Sequence, residues 1–131
     1  MSQLMTFSEM QKRYQEREDP FDLTIEKWFR IQMFINTASS LRDFQQLYQA
    51  ANVAVPFCFE YQIKACSGCP LENICGRGRG GKLLRVMRLI QTRVWAILAG
   101  NMLSKEPLIS EIDSLLTELK ELRRESEELD H

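Results

Sequence analysis

A chain of 131 residues, 44% apolar and 27% charged, fits a single folded domain of ordinary size. Its formal net charge of -1 excludes whole-molecule attraction to nucleic acid or anionic lipid, so any such binding must come from a local patch. The longest uninterrupted apolar stretches, such as Val94 to Ala99, are far too short to cross a bilayer, and the opening MSQLMTFSEMQKRYQERED lacks a signal peptide's apolar core. The expectation is a cytoplasmic protein with no membrane contact.

In chain order, Ser8 to Glu18 is polar, with Met10 and Tyr14 four residues apart, and predicts a peripheral helix. Asp19, Pro20 and Asp22 then form a strong start signal. An acidic N-cap, a proline at the first helical position and a second acid in the first turn all suit the free amides of a helix N-terminus. This helix should run to about Thr37. Phe21, Ile25, Trp28, Ile31 and Ile35 recur at helical spacing, and Phe29 and Met33 widen the same apolar face.

Ser39 or Ser40 caps a third helix from Leu41 to Ala51, with Leu41, Phe44, Leu47 and Tyr48 pointing inward. Val53-Ala-Val-Pro56 ends it, because the residue before proline avoids helical angles. A cysteine-rich loop fills residues 57–81. From Lys82 a long helix is predicted to about Ser104, with Leu83, Val86, Met87, Ile90, Val94, Ile97 and Leu98 on one face and Gly100 weakening its last turn. Ser104 and Pro107 open a final helix. Its Leu108, Ile112, Leu115, Leu119 and Leu122 suit a hairpin partner for its predecessor or a short coiled-coil seam. The charged tail from Arg123 to His131 is expected to fray. With no internal repeat or domain boundary, residues 1–131 read as one all-α domain: about five helices, a metal-binding loop, and a C-terminal helical hairpin.

The loop carries the strongest chemical signal. Cys58, Cys66, Cys69 and Cys75 lie within eighteen residues, separated by seven, two and five residues. Stable disulfides are rare where thiols are kept reduced, and a disulfide framework usually ties distant segments, so one shared metal is the better reading. Ser67 and Gly68 suit the tight turn of the Cys-x-x-Cys element, Pro70 follows the third ligand, and Leu71 to Ile74 can make the helical turn that returns Cys75. Structural zinc sites often use two such knuckles or add histidine, whereas this chain has one knuckle and a single terminal His131. Iron–sulfur clusters take four thiolates at uneven spacing, often beside proline.

The run CFEYQIKACSGCPLENIC resembles the iron–sulfur loop of endonuclease III-type DNA glycosylases, where six, two and five residues separate the ligands. The first gap here is one residue longer. Its two-then-five ending is also similar to the iron–sulfur staple of RecB-like and CRISPR-associated exonucleases. The resemblance implies that Cys58, Cys66, Cys69 and Cys75 ligate a [4Fe-4S] cluster, with zinc the alternative. It covers about a seventh of the chain. The glycosylase helix-hairpin-helix with its lysine and aspartate is absent, as are the exonuclease's strand-borne acids and lysine, so neither activity follows. More broadly, Thr24 to Cys75 resembles small phage- and archaeal-type proteins of unknown role that join a tryptophan helix to a Cys-rich segment.

Directly after Cys75 comes Gly76-Arg-Gly-Arg-Gly-Gly-Lys82. Arg77, Arg79, Lys82, Arg85, Arg88 and Arg93 are the candidate nucleic-acid contacts, because a glycine-rich loop entering a helix offers free amides and arginines add charge-assisted bonds to phosphate. The alternative is a plain turn followed by a solvated helix face. Leucine follows Gly81-Lys82 where a P-loop needs serine or threonine, which argues against nucleotide hydrolysis.

Trp28, Trp95, Phe29, Phe34 and Phe44 are read as core. The acids Glu111 to Glu128 are read as an exposed face. Cys66 and Cys69 lack the βαβ setting of a redox dithiol, and a terminal histidine is no general base, so no catalytic residue is assigned.

Three roles remain: a non-enzymatic, metal-stapled protein binding DNA, RNA or a nucleoprotein; a dimerising or docking module working through residues 108–122; and an iron–sulfur redox sensor or electron carrier. Protein purified without oxygen should be brown and contain iron and sulfide. Zinc alone would select the alternative metal, and neither metal would remove the staple.

Overall fold

The computed structural model describes residues 4–53, 55–56, 82–100 and 103–129, in which there are five α-helices and no strand. They are α1 (Phe7–Gln15), α2 (Pro20–Ile35), α3 (Leu41–Ala51), α4 (Lys82–Leu98) and α5 (Glu106–Leu129). Helix α2 packs on α5 and α3, and α4 packs on the same two, so four helices close a ring around one core. Helix α1 lies outside the ring against α2. The all-α expectation is met, and no described helix is long and apolar enough to cross a membrane.

Local chemistry sets most of the boundaries. Asp19 accepts the Asp22 amide at 3.0 Å ahead of Pro20, as the sequence predicts. Ser40 and Asp43 exchange bonds across the first turn of α3, a full capping box. Ser104 accepts the Glu106 amide at 3.2 Å. Helix α4 stops at Leu98, short of the expected Ser104, because Gly100 takes φ +81° and turns the chain. Arg17 adopts φ 69° just beyond α1, a conformation that costs a side-chain-bearing residue about 1 kcal/mol or more. The turn brings Glu18 back to Arg13.

The core draws on every helix, with Met10, Leu23, Ile31, Leu47, Val86, Ile90, Leu108, Ile112 and Leu119 all fully buried. Some expectations need correcting. Helix α1 is not merely peripheral, since Met5 and Met10 are buried beside it and within it. Phe29 and Met33 are exposed, because α5 and α3 cover a narrower stripe of α2 than its apolar residues span. The charged tail does not fray from Arg123: α5 continues to Leu129, and Arg123 bonds Asp22 at 2.6 Å and Glu127 at 3.3 Å.

Two polar devices hold the bundle in register. The first places lysines at helix C-termini that carry no basic residue of their own in the last turn. Lys27, on α2, is only 3% exposed and donates to the carbonyls of Ala51 (3.0 Å) and Val53 (2.7 Å) at the end of α3. Its ammonium also lies 4.8 Å from the centroid of the Trp28 ring. Lys105, just before α5, donates to the carbonyls of Ile35 (2.9 Å), Asn36 (3.3 Å) and Ala38 (3.0 Å) at the end of α2. Each lysine supplies positive charge where the helix dipole and its unpaired carbonyls call for it.

The second device is an ion network between α1 and α2. Arg13 bonds Glu26 at 2.6 Å, Glu18 at 2.7 Å and Glu9 at 3.2 Å, while Arg30 bonds Glu9 at 2.8 Å and also meets Glu26. Hydrogen bonds from Arg13 hold the Glu26 and Glu18 carboxyls below the ordinary carboxylate range. Carboxyls that titrate lower in the folded state stabilise it fully above their unfolded pKa, and that contribution vanishes as pH falls through the folded value.

Accordingly, acidification below about pH 4.5 should loosen α1 from α2, and Arg13→Met should remove most of that acid sensitivity. Hydrogen exchange of the α1 amides reads both effects. Lys27→Met should lower unfolding stability by about 2–3 kcal/mol in urea, because two carbonyls lose a charged donor.

Candidate functional site

Cys58, Cys66, Cys69, Cys75, Arg77 and Arg79 lie outside the described residues. What the bundle provides is a frame for them. Val55 and Pro56 are buried after α3, and the chain is described again at the start of α4, which packs directly on α3. The cysteine segment therefore connects two helices that touch. Among the described residues no group of three or more His, Cys, Asp or Glu side chains could hold a metal. Four thiolates suit either an iron–sulfur cluster or a closed zinc site, and four protein ligands leave a zinc ion no open position for substrate.

Helix α4 begins the described half of the site. Lys82 opens it, and no acidic residue occurs from Lys82 to Leu98. Arg85 and Arg88 are exposed. Among the described residues neither has an ion-pair partner.

Arg93 does not belong with them. The sequence places it among the surface contacts, yet it is 4% exposed. The short run from Leu103 to Lys105 folds back over the end of α4 after the Gly100 turn. Arg93 Nη2 donates to the carbonyl of Ser104, and Nη1 donates to that of Leu89 at 2.9 Å. Burial pulls its pKa down, although a guanidinium stays charged throughout the physiological range. Arg93 is thus removed from the set of surface contacts.

Trp95 needs the opposite correction. It was expected in the core and is instead 64% exposed, whereas Trp28 is 3% exposed as expected. Trp95 follows Arg88 by seven residues, two helical turns, so both emerge on one side of α4, with the exposed Thr92 between them. That spacing was visible in the sequence, but the habit of burying tryptophan outweighed it. Leu98, 58% exposed, extends the side further. Together they form a stripe of two unpaired guanidinium groups and one accessible indole. Such a stripe can offer charge to phosphates and a flat ring to a base.

The apolar seam of α5 is also settled by burial. Leu108, Ile112, Leu115 and Leu119 are at most 1% exposed, and Leu122 packs against the same core. The seam faces α2 and α4 inside the chain, which leaves only the partly buried Ile109 and Leu122 as apolar side chains of residues 108–122 with some exposure. No family model, curated protein or solved structure matches this chain.

Proposed function

We propose that this chain is a non-enzymatic helical protein that binds nucleic acid, with a metal held by Cys58, Cys66, Cys69 and Cys75 fixing the loop that precedes its binding helix. The observation that carries the reading is the outer side of α4, where Arg85 and Arg88 are exposed with no acidic partner among the described residues and Trp95 stands beside them. Arg77, Arg79 and Lys82 immediately precede this stripe in sequence and would extend it. The near-neutral whole chain gives no general attraction, so affinity rests on the local charge of this one segment.

The four thiolates suit a [4Fe-4S] cluster, with zinc the alternative, and either would act as a staple. Residues 57–81 join two helices that pack on each other. A shared metal would restrict that segment and hold the glycine–arginine run close to α4. An exposed tryptophan beside cations favours single-stranded over double-stranded targets, because stacking needs an unpaired base face.

Filter binding at low salt should show affinity for mixed-sequence single-stranded DNA or RNA. The double variant Arg85→Ala, Arg88→Ala should weaken it at least tenfold and reduce the salt slope by about one to two. Trp95 fluorescence should be quenched on binding, and Trp95→Phe should leave only the unresponsive emission of buried Trp28. A metal-loaded chain without measurable affinity at low salt would falsify the proposal.

A further inference from the structure

A cavity of about 260 Å³ opens where α3, the end of α4 and the approach to α5 meet. Phe44, Ile97 and Leu103 give it mostly apolar walls, and Arg93, Ser104 and Lys105 complete the principal lining. Its volume falls just under the lower end of ordinary ligand pockets, roughly 300 Å³. It belongs to the opposite side of α4 from the exposed arginine stripe.

The charges around it are unbalanced. Both cations are bonded to backbone carbonyls, Arg93 to Leu89 and Ser104, and Lys105 to Ile35, Asn36 and Ala38. No acid lines the cavity, and among the described residues no carboxylate pairs with either cation. Arg93 is more than nine-tenths buried, and its Nε–H is sequestered with no acceptor. A buried guanidinium is normally matched by an anion, since carbonyl dipoles return only part of the hydration it gives up. Here the missing partner would be an anion.

We propose that this cavity binds a small amphipathic carboxylate, its head at Arg93 and its hydrocarbon body against Phe44, Ile97 and Leu103. A carboxylate supplies the negative charge that the cavity lining lacks. A neutral alcohol of the same length supplies only an acceptor. Inorganic phosphate brings charge but leaves the apolar walls unfilled. The volume suits a short-chain acid and excludes a long fatty acid.

Calorimetric titration of the full chain with sodium octanoate, 1-octanol and inorganic phosphate tests this directly. Octanoate should bind at least tenfold more tightly than octanol, and phosphate should give no binding. Arg93→Met should cost octanoate at least tenfold. Ile97→Trp, which fills the cavity while leaving the charge, should abolish its binding. Equal affinities for octanoate and octanol in the unaltered chain overturn the proposal even if both variants misfold. So does the absence of octanoate binding at millimolar concentration, or its survival in a folded Ile97→Trp variant.

Discussion

The bundle depends on lysines from one part of the chain meeting helix ends from another. Helices α2 and α3 both finish without a basic residue in their last turn. Lys27 reaches the end of α3 from the middle of α2, and Lys105 reaches the end of α2 from the start of α5. An ammonium in such a place satisfies carbonyls that the helix leaves unpaired and complements the negative end of its dipole. Hydrophobic burial is non-directional and would accept several slipped arrangements of these helices. A lysine that must reach particular carbonyls accepts few, so these contacts select one register among many apolar packings.

The network of Arg13, Arg30 and three glutamates does a related task at the edge of the fold. Helix α1 has nine residues and only a narrow apolar face, too little to be stable alone. Met10 anchors it to the core, while Arg13 joins it to Glu26 of α2 and Arg30 of α2 reaches back to Glu9. These pairs are partly exposed, so each is individually weak and the group acts through its connectivity. The outer side of α4 shows a different economy. Among the described residues its two exposed arginines have no ion-pair partner.

Fold legibility varied with the range of the interaction. The start of α2, both ends of α3 and the start of α5 follow from capping residues and proline placed within a few positions of one another. The cores of α2, α3 and α5 follow from apolar spacing. Phe29, Met33, Trp95 and Leu98 were read into the core and are exposed, because apolar character says that a side chain would benefit from cover and not that a neighbouring helix arrives to provide it. Arg93 failed the other way. Its burial comes from a turn at Gly100 and a carbonyl on Ser104, neither of which a wheel drawn on α4 includes.

What the sequence by itself determined is local: the five described helices and most of their caps, four closely spaced cysteines, and a basic segment leading into α4. These are written in short windows, where residue spacing and side-chain chemistry act directly on the nearest backbone. Tertiary structure decided which apolar faces were covered, which lysines closed which helix ends, and which arginines of α4 kept their access to water. Those outcomes join residues as much as seventy positions apart, as Lys105 and Ile35 are. Only the packed arrangement of whole helices brings such groups within hydrogen-bonding distance.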